Sequence, residues 1–146
     1  MTVPAPGERG SSTPAGLIGR WIEFADAGFN GDFLQFLDPG YVGHLSNQTH
    51  DLTELIRLER QFATAFAVTR TIEDLIAVGE KVVARITSHA THVGEFYGRP
   101  ASNRSVTFTA IVIYRVVDGR ICESWGEVDF AGLMRQLPPP ASSASA

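Results

Sequence analysis

Two stretches of this chain carry residue types at spacings suited to acid–base chemistry. Glu127 and Asp129 stand two residues apart. On a strand they share one face, side by side, as carboxylates that divide the roles of acid and base do. The competing roles are structural: Asp129 as the cap of a final helix, with Glu123 and Glu127 flanking Trp125 on an outer face. The second stretch, Tyr41-Val-Gly-His-Leu-Ser-Asn-Gln-Thr-His50, gathers a phenol, two imidazoles and an amide. An imidazole titrates near ~6.5, so His44 has the range to take or give a proton at neutral pH. Its alternative is to hold the loop by hydrogen bonding, and the alternative for Tyr41 is aromatic packing. Cys122 is the single cysteine, which excludes an internal disulfide framework and a cysteine-based metal cluster. No base stands beside it to make it a nucleophile. The run Arg57, Glu59, Arg60 reads as a solvated helix face.

The elements that must position these groups fall into two halves. Leu17, Ile18, Trp21, Ile22, Ala25 and Phe29 recur at helical spacing and predict a first helix with one buried stripe. Asn30-Gly31-Asp32 ends it and opens a short helix, Phe33 to Leu37, which Asp38-Pro39-Gly40 stops. A third helix is predicted from Asp51 to about Ala67, with Leu52, Leu55, Ile56, Phe62 and Phe66 as its apolar side. Asp51 and Glu54 have the spacing of a capping box. The second half is sheet. A short strand is expected near Thr71 to Leu75, followed by β-rich stretches at Lys81 to His92 and Ser105 to Val117. Asp118-Gly119 marks a two-residue hairpin, with Ile121 to Val128 returning. Asp129 caps a last helical piece that Pro138 stops. Helices followed by strands predict α+β: a cone-shaped barrel, its curved antiparallel sheet wrapped around about three helices over an internal space.

The chain has 146 residues, 44% hydrophobic and 19% charged, with a net charge of −4. That is the size and composition of one globular domain. The acidic balance excludes a nucleic-acid partner gripped by a basic face, and no apolar run is long enough to span a membrane. The opening residues have neither the basic start nor the apolar stretch of a secretory signal, so a cytoplasmic protein is expected. Residues 1–14 and 138–146, rich in Pro, Ser, Gly and Ala, read as disordered tails around a single domain at 15–137.

Within that body, GEKVVARITSHATHVGEFYGRP, VTFTAIVIYRVVDGRICESWGEVD and DFAGLMRQL resemble the SnoaL-like polyketide cyclases of the nuclear-transport-factor-2-like superfamily. The resemblance spans residues 16–137. It implies an α+β barrel, dimeric as a rule, with one deep apolar cavity and no general metal or organic cofactor. The family's aldol cyclases carry a catalytic Asp on the last strand and a histidine on the strand before it. Matching the hairpin and D-F-x-G without gaps puts these positions at Gly126 and Val112, neither of which can remove a proton next to a carbonyl.

The resemblance also implies which faces meet a ligand. If Gly126 faces the cavity, strand alternation turns Cys122, Ser124 and Val128 the same way. Phe108, Ala110, Val112 and Tyr114 then line it from the neighbouring strand, and Ile86, Ser88 and His92 from the one before. Trp21 or Phe24 stands near its wall. His92 has a second reading as a satisfied core histidine, since it belongs to the family string whatever the reaction. In the family the loop holding Tyr41 and His44 closes one wall, with Asn47 and His50 next in position. The implied pocket suits an apolar, polyketide-like substrate, with Tyr41, His44, Tyr114 and Ser124 as hydrogen-bond donors to a carbonyl and Glu127 as the carboxylate of an acid–base alternative. The leading expectation is a cyclase that pre-organises its substrate for pericyclic or conjugate ring closure. Epoxide opening by Glu127 with His44, and non-catalytic binding of a small molecule, stand beside it. Ile111, Ile113 and Trp125 fall on the opposite face and predict a homodimer through the outside of the sheet.

Overall fold

Side-chain caps set where each helix begins. The computed structural model describes residues 13–140. Thr13 accepts from the Gly16 amide at 2.9 Å and starts α1, Pro14–Asp26, so the first helix begins inside the stretch expected to be a tail. The remainder of that stretch, 1–12, and residues 141–146 lie outside the described residues. Asp51 accepts from the Glu54 amide at 2.9 Å and opens α2, Leu52–Ala65. Asp129 does the same for Gly132 and α3, Phe130–Arg135. Each cap satisfies an amide that the first turn leaves unpaired. The short helix expected after α1 is one 3-10 turn, Phe33–Gln35, and Leu37 already belongs to a strand.

Among the described residues six strands follow: β1 Leu37–Leu45, β2 Gln48–Asp51, β3 Phe66–Val78, β4 Lys81–His92, β5 Ser105–Val117 and β6 Arg120–Val128. They form one sheet in the order β2-β1-β6-β5-β4-β3. The antiparallel expectation is corrected at one seam, because β1 runs parallel to β6. The supposed loop 41–50 is a β1–β2 hairpin. Its turn residues, Ser46 and Asn47, both have positive φ, 46° and 70°, which is the twist a two-residue hairpin turn needs. Asp118 and Gly119 make the same turn between β5 and β6. β3 is far longer than expected: Phe66 leaves the helix for extended backbone (φ −135°, ψ 132°), and the β-branched residues after it keep the chain extended.

The inner face of the sheet meets the helices in two apolar clusters. The larger joins α1 to β4, β5 and β6, with Trp21, Phe24, Phe29, Phe33 and Phe36 packed ring against ring at 5.0–5.9 Å. The smaller packs α3 and the end of α2 over Phe66, Val106 and Phe108.

The chain leaves β4 beside the smaller cluster. There the Val93 and Gly94 amides both donate to the Ala65 carbonyl, and a Cβ on Gly94 would collide with the Thr64 carbonyl oxygen. Backbone cannot give way as a flexible side chain does. Replacing Gly94 with Ala is therefore expected to cost about 2 kcal/mol, the scale of an overpacked site. The thermal midpoint should fall by several degrees. An unchanged melting curve would show that the β4 exit has room to move.

Candidate functional site

Strand alternation and one irregularity decide which side chains reach the space between helices and sheet. β5 pairs with β6 so that Val112 faces Gly126 and Tyr114 faces Ser124. Between Arg115 and Val116 the register slips by one residue on β6, and Cys122 is the extra residue. Below this bulge the alternation is inverted. Ile121, 1% exposed, takes the inward place, which corrects the expectation that Cys122 faces the cavity. The Cys122 thiol lies against the Arg115 carbonyl at 3.5 Å, and burial pushes its pKa up, so it is no nucleophile.

The enclosed space has a volume of about 530 Å³, within the usual range for a small-molecule site. Trp21, Ile86, Ser88, Phe108, Ala110 and Val112 line it, together with Gly126 and Val128. Two expected lining residues do not. Phe24 stands behind Trp21 in the aromatic cluster, with ring centroids 5.9 Å apart. His92 is fully buried beside the second cluster, stacked on Phe66 at 5.2 Å with Nδ1 2.9 Å from Ser102 Oγ.

The expected catalytic residues divide the same way. Tyr41, Ser124 and Tyr114 border the cavity. Tyr41 Oη and Ser124 Oγ share a 2.6 Å hydrogen bond across the parallel seam. Glu127 does not border it: it pairs with Ile111 on the outer face and is exposed. The paired-carboxylate reading ends there, because Asp129 is spent on its helix cap. His44 reaches the cavity's rim, but its ring lies outside. It stacks on Trp125 at 5.5 Å, and its Nε2 is 2.8 Å from Glu123, whose carboxyl this contact holds below the usual range. Strand pairing requires this, since His44 sits opposite Trp125. A His44–Glu127 pair acting across the cavity is therefore not available. Asn47 is in the exposed hairpin turn.

Three further polar side chains come to this space: His50, a later candidate of the wall-closing loop, Arg70, and Glu59, expected as part of a solvated helix face. His50, on β2, leans over Gly43 beside Tyr41, and a Cβ on Gly43 would strike both His50 Nε2 and Tyr41 Oη. His50 Nε2 is buried without a hydrogen-bond partner, and burial pushes the imidazole's pKa down. Arg70 points inward from β3, 13% exposed, and its guanidinium is 3.0 Å from Asp26 at the end of α1. Glu59 of α2 also lines the cavity. Burial pushes its carboxyl up and Arg70 draws it partly back. The signal for Glu59 was its place four residues after Leu55 and three before Phe62, on the apolar stripe. Among the described residues no His, Cys, Asp and Glu side chains group so as to hold a metal ion.

Burial and the nearby Glu59 charge push both phenols up, Tyr41 to about 12. They remain O–H donors at any physiological pH. From pH ~10, where an ordinary phenol ionises, to about 12, the native state keeps a Tyr41 proton that the unfolded chain has released. Stability therefore falls as pH rises through that window. Alkaline titration at 295 nm is expected to show delayed ionisation that Tyr41→Phe removes in part. Ionisation of all three tyrosines together near ~10 would contradict the buried environment.

Comparison with known proteins adds identity to this geometry. The family model of SnoaL-like polyketide cyclases matches residues 15–137. Over 62 residues, 42% of this chain, the sequence is 36% identical to the aklanonic acid methyl ester cyclase DnrD of Streptomyces peucetius, covering 43% of that protein. Over 62 residues it is 34% identical to the nogalonic acid methyl ester cyclase of Streptomyces nogalater, covering 46% of it. The match thus spans less than half the length of these curated relatives. AclR, a candidate hydroxylase from Streptomyces galilaeus, has the same fold, with a TM-score of 0.79 at 21% identity over 86% of this chain and 95% of that one. IdmH, a candidate polyketide cyclase from Streptomyces antibioticus, superposes with a TM-score of 0.77 at 25% identity over 85% and 97% of the two chains. With the family model matching 15–137, this chain belongs to the SnoaL-like polyketide cyclase family.

Proposed function

We propose that the protein is a cofactor-independent cyclase of natural-product biosynthesis that closes a ring in an apolar, polyketide-like substrate. The observation that carries this reading is the meeting of Tyr41, Ser124 and Tyr114 on the wall of a largely apolar cavity of about 530 Å³. Apolar walls hold a flexible chain in a folded conformer, which removes much of the entropic part of a ring-closing barrier. The phenols donate to a substrate carbonyl oxygen and stabilise the charge that gathers there, and Ser124 fixes the Tyr41 hydroxyl. Removing one such donor costs roughly 10²–10³ in rate. Gly126 gives this reading its form: closure is pericyclic or conjugate, without a carboxylate from the last strand. The curated relatives act on methyl esters of aklanonic and nogalonic acid, as their names state, and an esterified polyketide of that kind is the substrate class proposed here.

The same proposal includes a homodimer through the outer face of the sheet. Ile111 is 51% exposed and Val42 37%, with Ile113 beside them only partly covered. Trp125 is already covered in part by its own chain, between the His44 ring and the Lys81 ammonium at 5.2 Å. Burial of this patch is worth ~25 cal/mol per Å² before the cost of association.

Deleting the gene is expected to make an uncyclised polyketide precursor accumulate. An unchanged product profile would overturn the cyclase reading in favour of a binding role. Sedimentation should give twice the chain mass of 15.8 kDa, with Ile111→Glu yielding folded monomers. A wild-type monomer at micromolar concentration would refute the dimer.

A further inference from the structure

The Glu59 carboxylate has a position that stability alone does not explain. It sits on the apolar stripe of α2 and borders the cavity. Among the described residues it has neither a hydrogen-bond donor nor an ion-pair partner. The helix's other carboxylate, Glu54, is chelated by Arg57 through two guanidinium nitrogens. Arg70 is the cation in range, but its guanidinium is turned to Asp26 and packs over the Phe29 ring at 5.6 Å. Leaving a carboxylate unpaired among apolar groups is costly to the fold, and an apolar residue there would avoid that.

We propose that Glu59 is the base of this cavity, a carboxylate on α2 that removes a proton from a substrate carbon beside a carbonyl, in the same cavity that Gly126 lines. The inference rests on the ring-closing reading and narrows it, since conjugate or aldol-type closure needs a base and pericyclic closure does not. The C–H bond breaks and its proton goes to a Glu59 oxygen. The electron pair stays on the substrate as an enolate, whose oxygen accepts from the Tyr41 or Tyr114 hydroxyl. The carbon then adds to an electrophilic carbon of the same molecule, forming the C–C bond. Glu59 returns the proton to the atom that has gained the charge. Product and substrate are isomers, the carboxylate is regenerated, and no other reagent is consumed. Burial makes the Glu59 carboxylate a stronger base than an exposed one, and the Arg70 charge opposes that shift.

The test separates proton removal from cyclisation. Methyl benzoylacetate, an aryl β-keto ester that cannot cyclise, is incubated with the protein in D₂O. Exchange of its C2 protons is followed by NMR, and its binding by quenching of tryptophan fluorescence. Wild type is expected to accelerate exchange over buffer. Glu59→Gln should lose about 100-fold or more of that acceleration, the usual weight of a general base, with binding changed less than about threefold and melting no lower than wild type. Glu59→Asp, which keeps the carboxylate, should recover part of the rate. Exchange at the buffer rate with wild type, or equal acceleration by wild type and Glu59→Gln, overturns the assignment. Glu59-dependent exchange supports it even if gene deletion leaves metabolites unchanged, in which case only the cyclase reading falls.

Discussion

The placement of α1 against β3 turns on the Arg70–Asp26 ion pair. Asp26 is the last residue of α1 and Arg70 lies in β3, and besides the 3.0 Å contact the Asp26 carboxylate also receives the Arg70 amide at 3.2 Å. One carboxylate thus fixes both the backbone and the side chain of a strand residue. Charge-assisted bonds of this kind are directional and persist where exposed pairs do not. The guanidinium is held at the cavity's edge by partners other than Glu59. It therefore supplies positive potential to α2 without neutralising the carboxylate there. Were Arg70 free to swing, it would pair with Glu59 and remove a base from the site.

Room for chemistry comes from residues that are small. Gly43 leaves the volume that His50 and the Tyr41 hydroxyl occupy, and its absent side chain lets β2 fold its imidazole over β1. The parallel seam then puts Ser124 opposite Gly43, within reach of Tyr41. The β6 bulge at Cys122 completes the arrangement. It returns Ile121 to the core while Ser124 and Gly126 keep facing the ligand space, so one strand seals the bottom of the cavity and furnishes its polar wall.

The fold was legible where a single local rule dominates. The Asp118-Gly119 hairpin, the Asp51 and Asp129 caps and the α1 stripe follow from turn chemistry and periodicity. The 41–50 stretch was not, because Ser46 and Asn47 form a glycine-free turn and Asp38-Pro39-Gly40 imitates a break. The parallel seam depends on contacts about 80 residues apart, as between Tyr41 and Ser124, which no local pattern reports. At the site, alternation placed Tyr114, Ser124 and Gly126, but a one-residue bulge was enough to exchange Cys122 for Ile121. Glu59 was misread because its neighbours Arg57 and Arg60 are charged and solvated. On a helix, residues two apart point in different directions, and only the three- and four-residue neighbours share a face.

The resemblance puts the catalytic Asp of the family's aldol cyclases at Gly126, and a glycine there fits either lost chemistry or a reacting group that has moved. Packing around Gly126 favours the second. A Cβ there would be 3.4 Å from Leu45 Cδ1 and 3.8 Å from Val112 Cγ2, ordinary contact distances, so the glycine is not forced by crowding at its own backbone. A side chain beyond that Cβ would lie against two aliphatic groups, Leu45 and Val112, where burial disfavours an ionised carboxylate. The polar resources of the cavity are instead gathered around α2 and β3, where the Arg70 charge opposes the rise that burial gives the Glu59 carboxyl, and across the seam, where Tyr41 and Tyr114 stay protonated. An acceptor and two donors face one apolar volume from different elements. That separation lets a carbon be deprotonated on one side while the charge it releases is received on the other.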